Sequence, residues 1–123
     1  MGHRQDNPDA GALVSEGANE PLAMKPDLGK LRWGLLPWEP MRQVVRAMEL
    51  GLKIGTEHER APGDWKKGQN WMMHWDASMR HLVDWREGVE EDEHSKLNPL
   101  AHAVASILIL LYYAIKEKGY DDR

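Results

Sequence analysis

The sequence predicts an all-α fold, a small bundle of three main helices completed by oligomerisation. Two stretches carry apolar residues at helical spacing, a third from Leu100 to Ile115 is apolar almost all round, and no stretch alternates as a strand does. A helix that is apolar on every side belongs in the middle of a protein, and two companions struggle to enclose it. The third helix is therefore expected to pack against its own copy in a dimer or tetramer.

Residues 1–29 are rich in Gly, Pro and small polar side chains, with Asn7-Pro8-Asp9, Gly11, Gly17, Pro21 and Pro26 breaking any period. They read as a flexible arm, leaving 30–123 as the folded domain. Leu31, Trp33, Leu35, Leu36 and Trp38 then arrive close together between prolines, as an extended segment packed onto the fold.

The first helix is expected from near Pro40, because proline lacks the N–H that would be unpaired at a helix start. Its apolar face is Met41, Val44, Val45, Met48 and Leu52, and it should end near Gly51 or Gly55. Residues 56–68 form a polar loop around Pro62-Gly63. The second helix should run from about Gln69 to Glu87, with Trp71, Met72, Trp75, Met79, Leu82 and Val83 on a broad apolar face and Gly88 as its stop. His74, Ser78, His81 and Trp85 follow one another three or four residues apart, making a second strip along the border of that face. The third helix has the plainest start in the chain, with Asn98 to cap it and Pro99 at its first position. Its apolar run is shorter than the roughly 20 residues a bilayer span needs, and no membrane partner is expected.

Composition excludes several functions. With 123 residues and a net charge of −4, the chain lacks the clustered cations that a nucleic-acid footprint requires. It has no cysteine, hence no disulfide, thiolate zinc site or thiol nucleophile. The N-terminus has neither the basic start nor the apolar run of a signal peptide, so a cytoplasmic location is expected. No glycine-rich phosphate loop or dinucleotide fingerprint is present.

Chemistry concentrates between His81 and His102. Burying imidazoles and carboxylates among apolar helices is costly unless they find hydrogen-bond partners or a metal. His102, near the positive end of the third helix, is a candidate metal ligand or phosphate contact. Its ordinary alternative is a core histidine bonded to a neighbour. Arg80 offers a forked guanidinium for phosphate. Glu87 and the acidic run Glu90 to Glu93 can supply oxygens to Mg²⁺, for which one or two carboxylates plus substrate phosphates suffice; Asp92 is the preferred ligand. Lys30 and Arg32 are candidate phosphate contacts, and Trp65 a candidate base contact.

The ordered set Lys30-Leu31-Arg32, Leu35-Leu36-Pro37, Gly51, Trp65 with Gly68, Arg80-His81-Leu82, Trp85, Gly88, Asp92 and Leu100-Ala101-His102-Ala103 resembles the phage-associated dATP/dGTP diphosphohydrolase family. The resemblance runs from about residue 25 to the C-terminus. It implies an all-α nucleotide pyrophosphohydrolase similar to MazG-like enzymes, Mg²⁺-dependent and oligomeric, that splits a purine dNTP into dNMP and pyrophosphate. In this reading Asp92 and His81 are catalytic, Glu87, Asp92 and His102 hold the metal, and Lys30, Arg32, Trp65 and Arg80 contact the nucleotide. The chain departs from the family pattern at Ile54-Gly55, Asp64, Val89, Pro99 and Ser106, and it lacks the paired Glu-x-x-Glu and Glu-x-x-Asp motifs of MazG-like enzymes. Those departures support a second reading, a non-enzymatic helical module that binds a nucleotide or a protein.

Overall fold

A computed structural model describes residues 20–53 and 60–123. Its contacts divide the chain into two compact units, Met1–Trp33 and Gly34–Arg123. In the first unit the described residues are exposed, and a turn closed by Lys30 N–H donating to the Asp27 carbonyl precedes Lys30 and Arg32. The expected arm over 1–29 falls largely outside the described residues.

Three helices form the second unit: α1 (Trp38–Gly51), α2 (Trp71–Arg86) and α3 (Pro99–Lys116). Among the described residues there is no strand, only an isolated bridge between Asn70 and Tyr120. Two short 3-10 turns, Trp33–Leu35 and Asp64–Lys67, stand where an extended segment and a polar loop were expected. Trp33, Leu35 and Trp38 are exposed and Leu36 is half-buried.

The boundaries follow local chemistry. α3 begins where Asn98 accepts from Leu100 N–H at 2.8 Å, with Pro99 filling the first helical position. α2 ends in a Schellman turn: Gly88 N–H donates to the Trp85 carbonyl and Val89 N–H to Asp84, with Gly88 at φ +103°. α1 starts two residues earlier than expected, leaving Pro40 within its first turn, where no intrahelical donor is lost. At the start of α2 the capping comes from far away in sequence. Asn70 makes no side-chain cap bond; instead the Asp122 carboxylate accepts from Met72 N–H at 2.9 Å, and Trp71 N–H donates to the Tyr120 carbonyl at 3.0 Å. A carboxylate is favoured there because the unpaired N–H groups make that helix end positive.

α3 is the central helix. α1 and α2 both pack on it and, among the described residues, not on each other. Ala101, Ala103 and Ala105 are buried in these contacts, and their small side chains let the flanking backbones approach. α2 meets α3 along His74, Ser78 and His81, the strip the sequence placed at the border of the apolar face. The expected apolar face itself is turned outward in part: Trp75, Met79 and Val83 are exposed, because α1 does not reach across to cover them. Ser78 is buried, and its hydroxyl is satisfied by the His74 carbonyl at 2.7 Å. On α1, Val44 and Ala47 carry the burial, whereas Val45 faces out. α3 runs 18 residues at a mean hydropathy of 1.6, which meets the length and composition of a membrane span. It is longer than the apolar run alone indicated.

Candidate functional site

Because α1 and α2 lie on α3 without touching, a cavity of about 560 Å³ opens between them. Its walls are Ala47, Met48 and Gly51 of α1 and Met73, His74, Ala77, Arg80 and His81 of α2; His102, Ala105, Ser106 and Ile109 of α3 form the floor. Small residues on all three helices leave the volume unfilled. A void of this size fits a drug- or nucleotide-sized ligand.

The two ends differ in chemistry. At one, the His81 and His102 rings stack with centroids 4.9 Å apart and planes 24° from parallel. Ser95 Oγ shares a hydrogen bond with His102 Nε2 at 2.6 Å. Burial lowers the His81 pKa, since it penalises the charged imidazolium, and the neighbouring His102 lowers it further. Near neutral pH His81 is therefore a neutral base at a cavity wall, beside the Arg80 guanidinium.

At the other end stand Asp64, Trp65, Gln69 and His74. Tyr113, buried completely, organises them from behind. Its hydroxyl donates to the Trp65 carbonyl at 2.6 Å and approaches Gln69 Oε1 at 3.2 Å. Gln69 Oε1 also meets His74 Nε2 at 2.7 Å. Trp65 is held edge-on against Tyr112 at 4.9 Å, and Lys66 Nζ lies over its ring. Burial raises the Tyr113 pKa, and the negative charge of Asp64 adds to that. Asp64 pairs with Lys67 at 2.8 Å, and that contact keeps its own pKa low.

Of the sequence-predicted site residues, Trp65, Arg80, His81 and His102 are brought together around this cavity. Asp92 is not among its lining residues. Its Oδ2 accepts from Ser95 N–H at 2.8 Å and His94 N–H at 3.0 Å, folding the loop that presents Ser95 to His102. Those backbone hydrogen bonds, with Ser95 first, hold its pKa down. Glu87 is exposed at the C-terminal end of α2. The expected metal set of Glu87, Asp92 and His102 is not assembled: among the described residues no three His, Asp or Glu side chains are grouped to hold an ion. Both bonds fall on Asp92 Oδ2 and hold the carboxylate in its own loop, outside the cavity lining. Lys30 and Arg32 lie exposed in the first unit. Ile54-Gly55 lies outside the described residues. Sequence reasoning passed over Gln69 and Tyr113; only the seven-residue spacing of His74 and His81 marked that both face one groove.

An all-α unit with a nucleotide-sized cavity, Arg80 on its wall and the stacked His81 and His102 rings at one end defines a small helical domain with a ligand-sized cavity. The chain belongs to the dATP/dGTP diphosphohydrolase family, matching the family's N-terminal domain over residues 22–123. No curated protein and no solved structure matches it.

Proposed function

We propose that the cavity binds a purine deoxynucleoside triphosphate and hydrolyses it to the monophosphate and pyrophosphate. The observation that carries this reading is the polarity of the cavity: Trp65 stands at one end and Arg80, His81 and His102 at the other, in a chain whose family name specifies dATP and dGTP. His74 and His81, one at each end, are seven residues apart on α2, about 10 Å along its axis. That is long enough to lay a base at the tryptophan and phosphates at the histidines.

In this reading Arg80 takes a phosphate through its guanidinium fork. His81, kept neutral, accepts the proton of a water whose oxygen attacks the α-phosphorus. The bond from that phosphorus to the bridging oxygen breaks, and pyrophosphate leaves with the electron pair. His102, steadied by Ser95, stacks beside the resulting imidazolium and fixes its ring. No step is assigned to a resident metal ion, because the expected ligands do not converge. Mg²⁺ belongs to this proposal as the ion a triphosphate carries on its own oxygens, which keeps several waters and few protein ligands.

The test is pyrophosphate release from each dNTP with and without Mg²⁺. dATP and dGTP are expected to turn over, and His81→Gln to lower kcat by roughly 10²-fold or more, as loss of a general base does. Binding without release would favour the non-enzymatic module. Full activity in His81→Gln would remove that residue from the chemistry. We further propose that the active form is a homo-oligomer built on the outward stripe of α3.

A further inference from the structure

The floor of the cavity is one face of α3. His102, Ala105, Ser106 and Ile109 line it at the three- and four-residue spacing of a single helical side. α2 runs antiparallel beside it: His81 stacks on His102 at one end, and His74 meets the Tyr113 ring edge-on at 5.5 Å at the other. Ala77 on α2 and Ser106 on α3 fall between those two contacts. Ser106 is about 6 Å along the axis from His102 and about 10 Å from Tyr113.

Two other serines packed beside this site have their hydroxyls engaged. Ser78 donates to the His74 carbonyl, and Ser95 shares a hydrogen bond with His102. Among the described residues the Ser106 hydroxyl makes no such bond, and the residue lines the cavity half-buried. Its neighbours on the cavity wall, Ala77, Ala105 and Ile109, have no side-chain donor or acceptor to offer. Asp76 also lines the cavity from α2, but it is exposed, one turn from Arg80.

A deoxynucleoside triphosphate with its base at Trp65 and its phosphates at His81 and His102 lays its sugar across this middle stretch. The 5′ oxygen of that sugar is esterified and its 2′ carbon bears only hydrogen, so the C3′ hydroxyl is its single O–H group. A serine hydroxyl can accept from that group or donate to it. We infer that Ser106 is a specificity-determining residue that hydrogen-bonds the 3′-hydroxyl of the bound deoxyribose, so that the cavity prefers nucleotides with a free 3′-OH to 2′,3′-dideoxy ones. The contact does not involve the base and serves adenine and guanine nucleotides alike. This inference rests on the nucleotide-binding reading above.

The experiment measures equilibrium binding of the full chain to α,β-methylene analogues of dATP and dGTP and of their 2′,3′-dideoxy counterparts, which cannot be cleaved between the α and β phosphorus atoms. With either base, the deoxy analogue should bind roughly threefold to tenfold more tightly than the dideoxy one, the usual worth of one neutral hydrogen bond. Ser106→Ala should weaken the deoxy analogue to the dideoxy level and leave dideoxy binding unchanged, whereas a merely structural role would weaken both together. Asp76→Ala should leave the ratio of the two affinities as it is in the wild type. The wild-type comparison needs no variant, so it gives an answer even if a substituted chain fails to fold. Equal affinity for deoxy and dideoxy analogues overturns the inference and leaves nucleotide binding standing. A preference that survives Ser106→Ala, or one that disappears in Asp76→Ala, does the same. Failure of every analogue to bind overturns both.

Discussion

A residue's meaning in this molecule depends on what its polar atoms already hold. Asp92 reads in the sequence as a metal ligand because it is acidic and lies between two histidine-bearing helices. The fold instead uses its carboxylate to tie His94 and Ser95 into a turn, one step removed from His102. Asp92→Ala should therefore cost stability, on the order of 1 kcal/mol, the usual net worth of a hydrogen bond, and should disturb His102 rather than delete a ligand. Comparing its melting temperature with the ring resonances of His102 checks this; an unchanged fold with an undisturbed imidazole would contradict it. His81 and His102 stood out in the sequence because polar groups among apolar helical positions are conspicuous, and Arg80 through its place beside His81. Gln69 and Tyr113 were not. A glutamine ahead of a helix is unremarkable in sequence, and a tyrosine within an apolar run reads as core packing. Their roles arise from a contact between positions 44 residues apart, which no local period encodes.

At the scale of the elements, caps were readable where they are local and hidden where they are not. Asn98-Pro99 and Gly88 announce their helix ends within a few residues. The start of α2 depends on Asp122, 50 residues away, and on Gly68 and Gly119 passing at backbone distance. Asp122→Ala should destabilise by about 1 kcal/mol, the usual worth of a helix cap. Gly68→Ala should be worse, since its φ of +106° and an added Cβ 2.2 Å from the Gly119 nitrogen admit no side chain. Both are read by thermal melting, and a melt matching wild type in either case would show that the tail does not hold α2. The packing of α2 on α3 also sets a pH dependence. His74 and His81 both titrate below the ordinary 6.5 because burial penalises their charge. The unfolded chain therefore binds protons first as pH falls, so their contribution to stability is complete above 6.5 and is lost as the pH drops below it toward their folded values. Melting temperature should decline through that window, and His81→Gln should flatten the decline. A profile identical in the variant would assign the effect to other groups.

For the whole molecule, the sequence anticipated a central apolar helix too exposed for two partners to cover, and the fold leaves a definite remainder. Val104, Ile107, Leu108, Leu111 and Ile115 recur along one side of α3, with Leu111 51% and Ile115 67% exposed, and α2 adds Trp75, Met79 and Val83 to the exposed apolar surface. A stripe of this kind is self-complementary about a two-fold axis, so the same residues can serve both copies. Burying apolar surface contributes roughly 25 cal/mol per Å², and several large side chains covered on each copy exceed what one exposed helix can lose to solvent without consequence. The chain is therefore expected to sediment as a dimer or higher assembly, with a melting temperature that rises with protein concentration as mass action requires. Leu111→Glu combined with Ile107→Glu places two carboxylates on each copy of that stripe, where pairing would bury like charges. The double variant should sediment as a monomer and lose the concentration dependence while keeping its helical circular dichroism, because neither side chain packs against α1 or α2 closely enough to be buried. A wild-type chain that remains monomeric at high concentration, or a double variant that still assembles, would show that this face is not where copies meet.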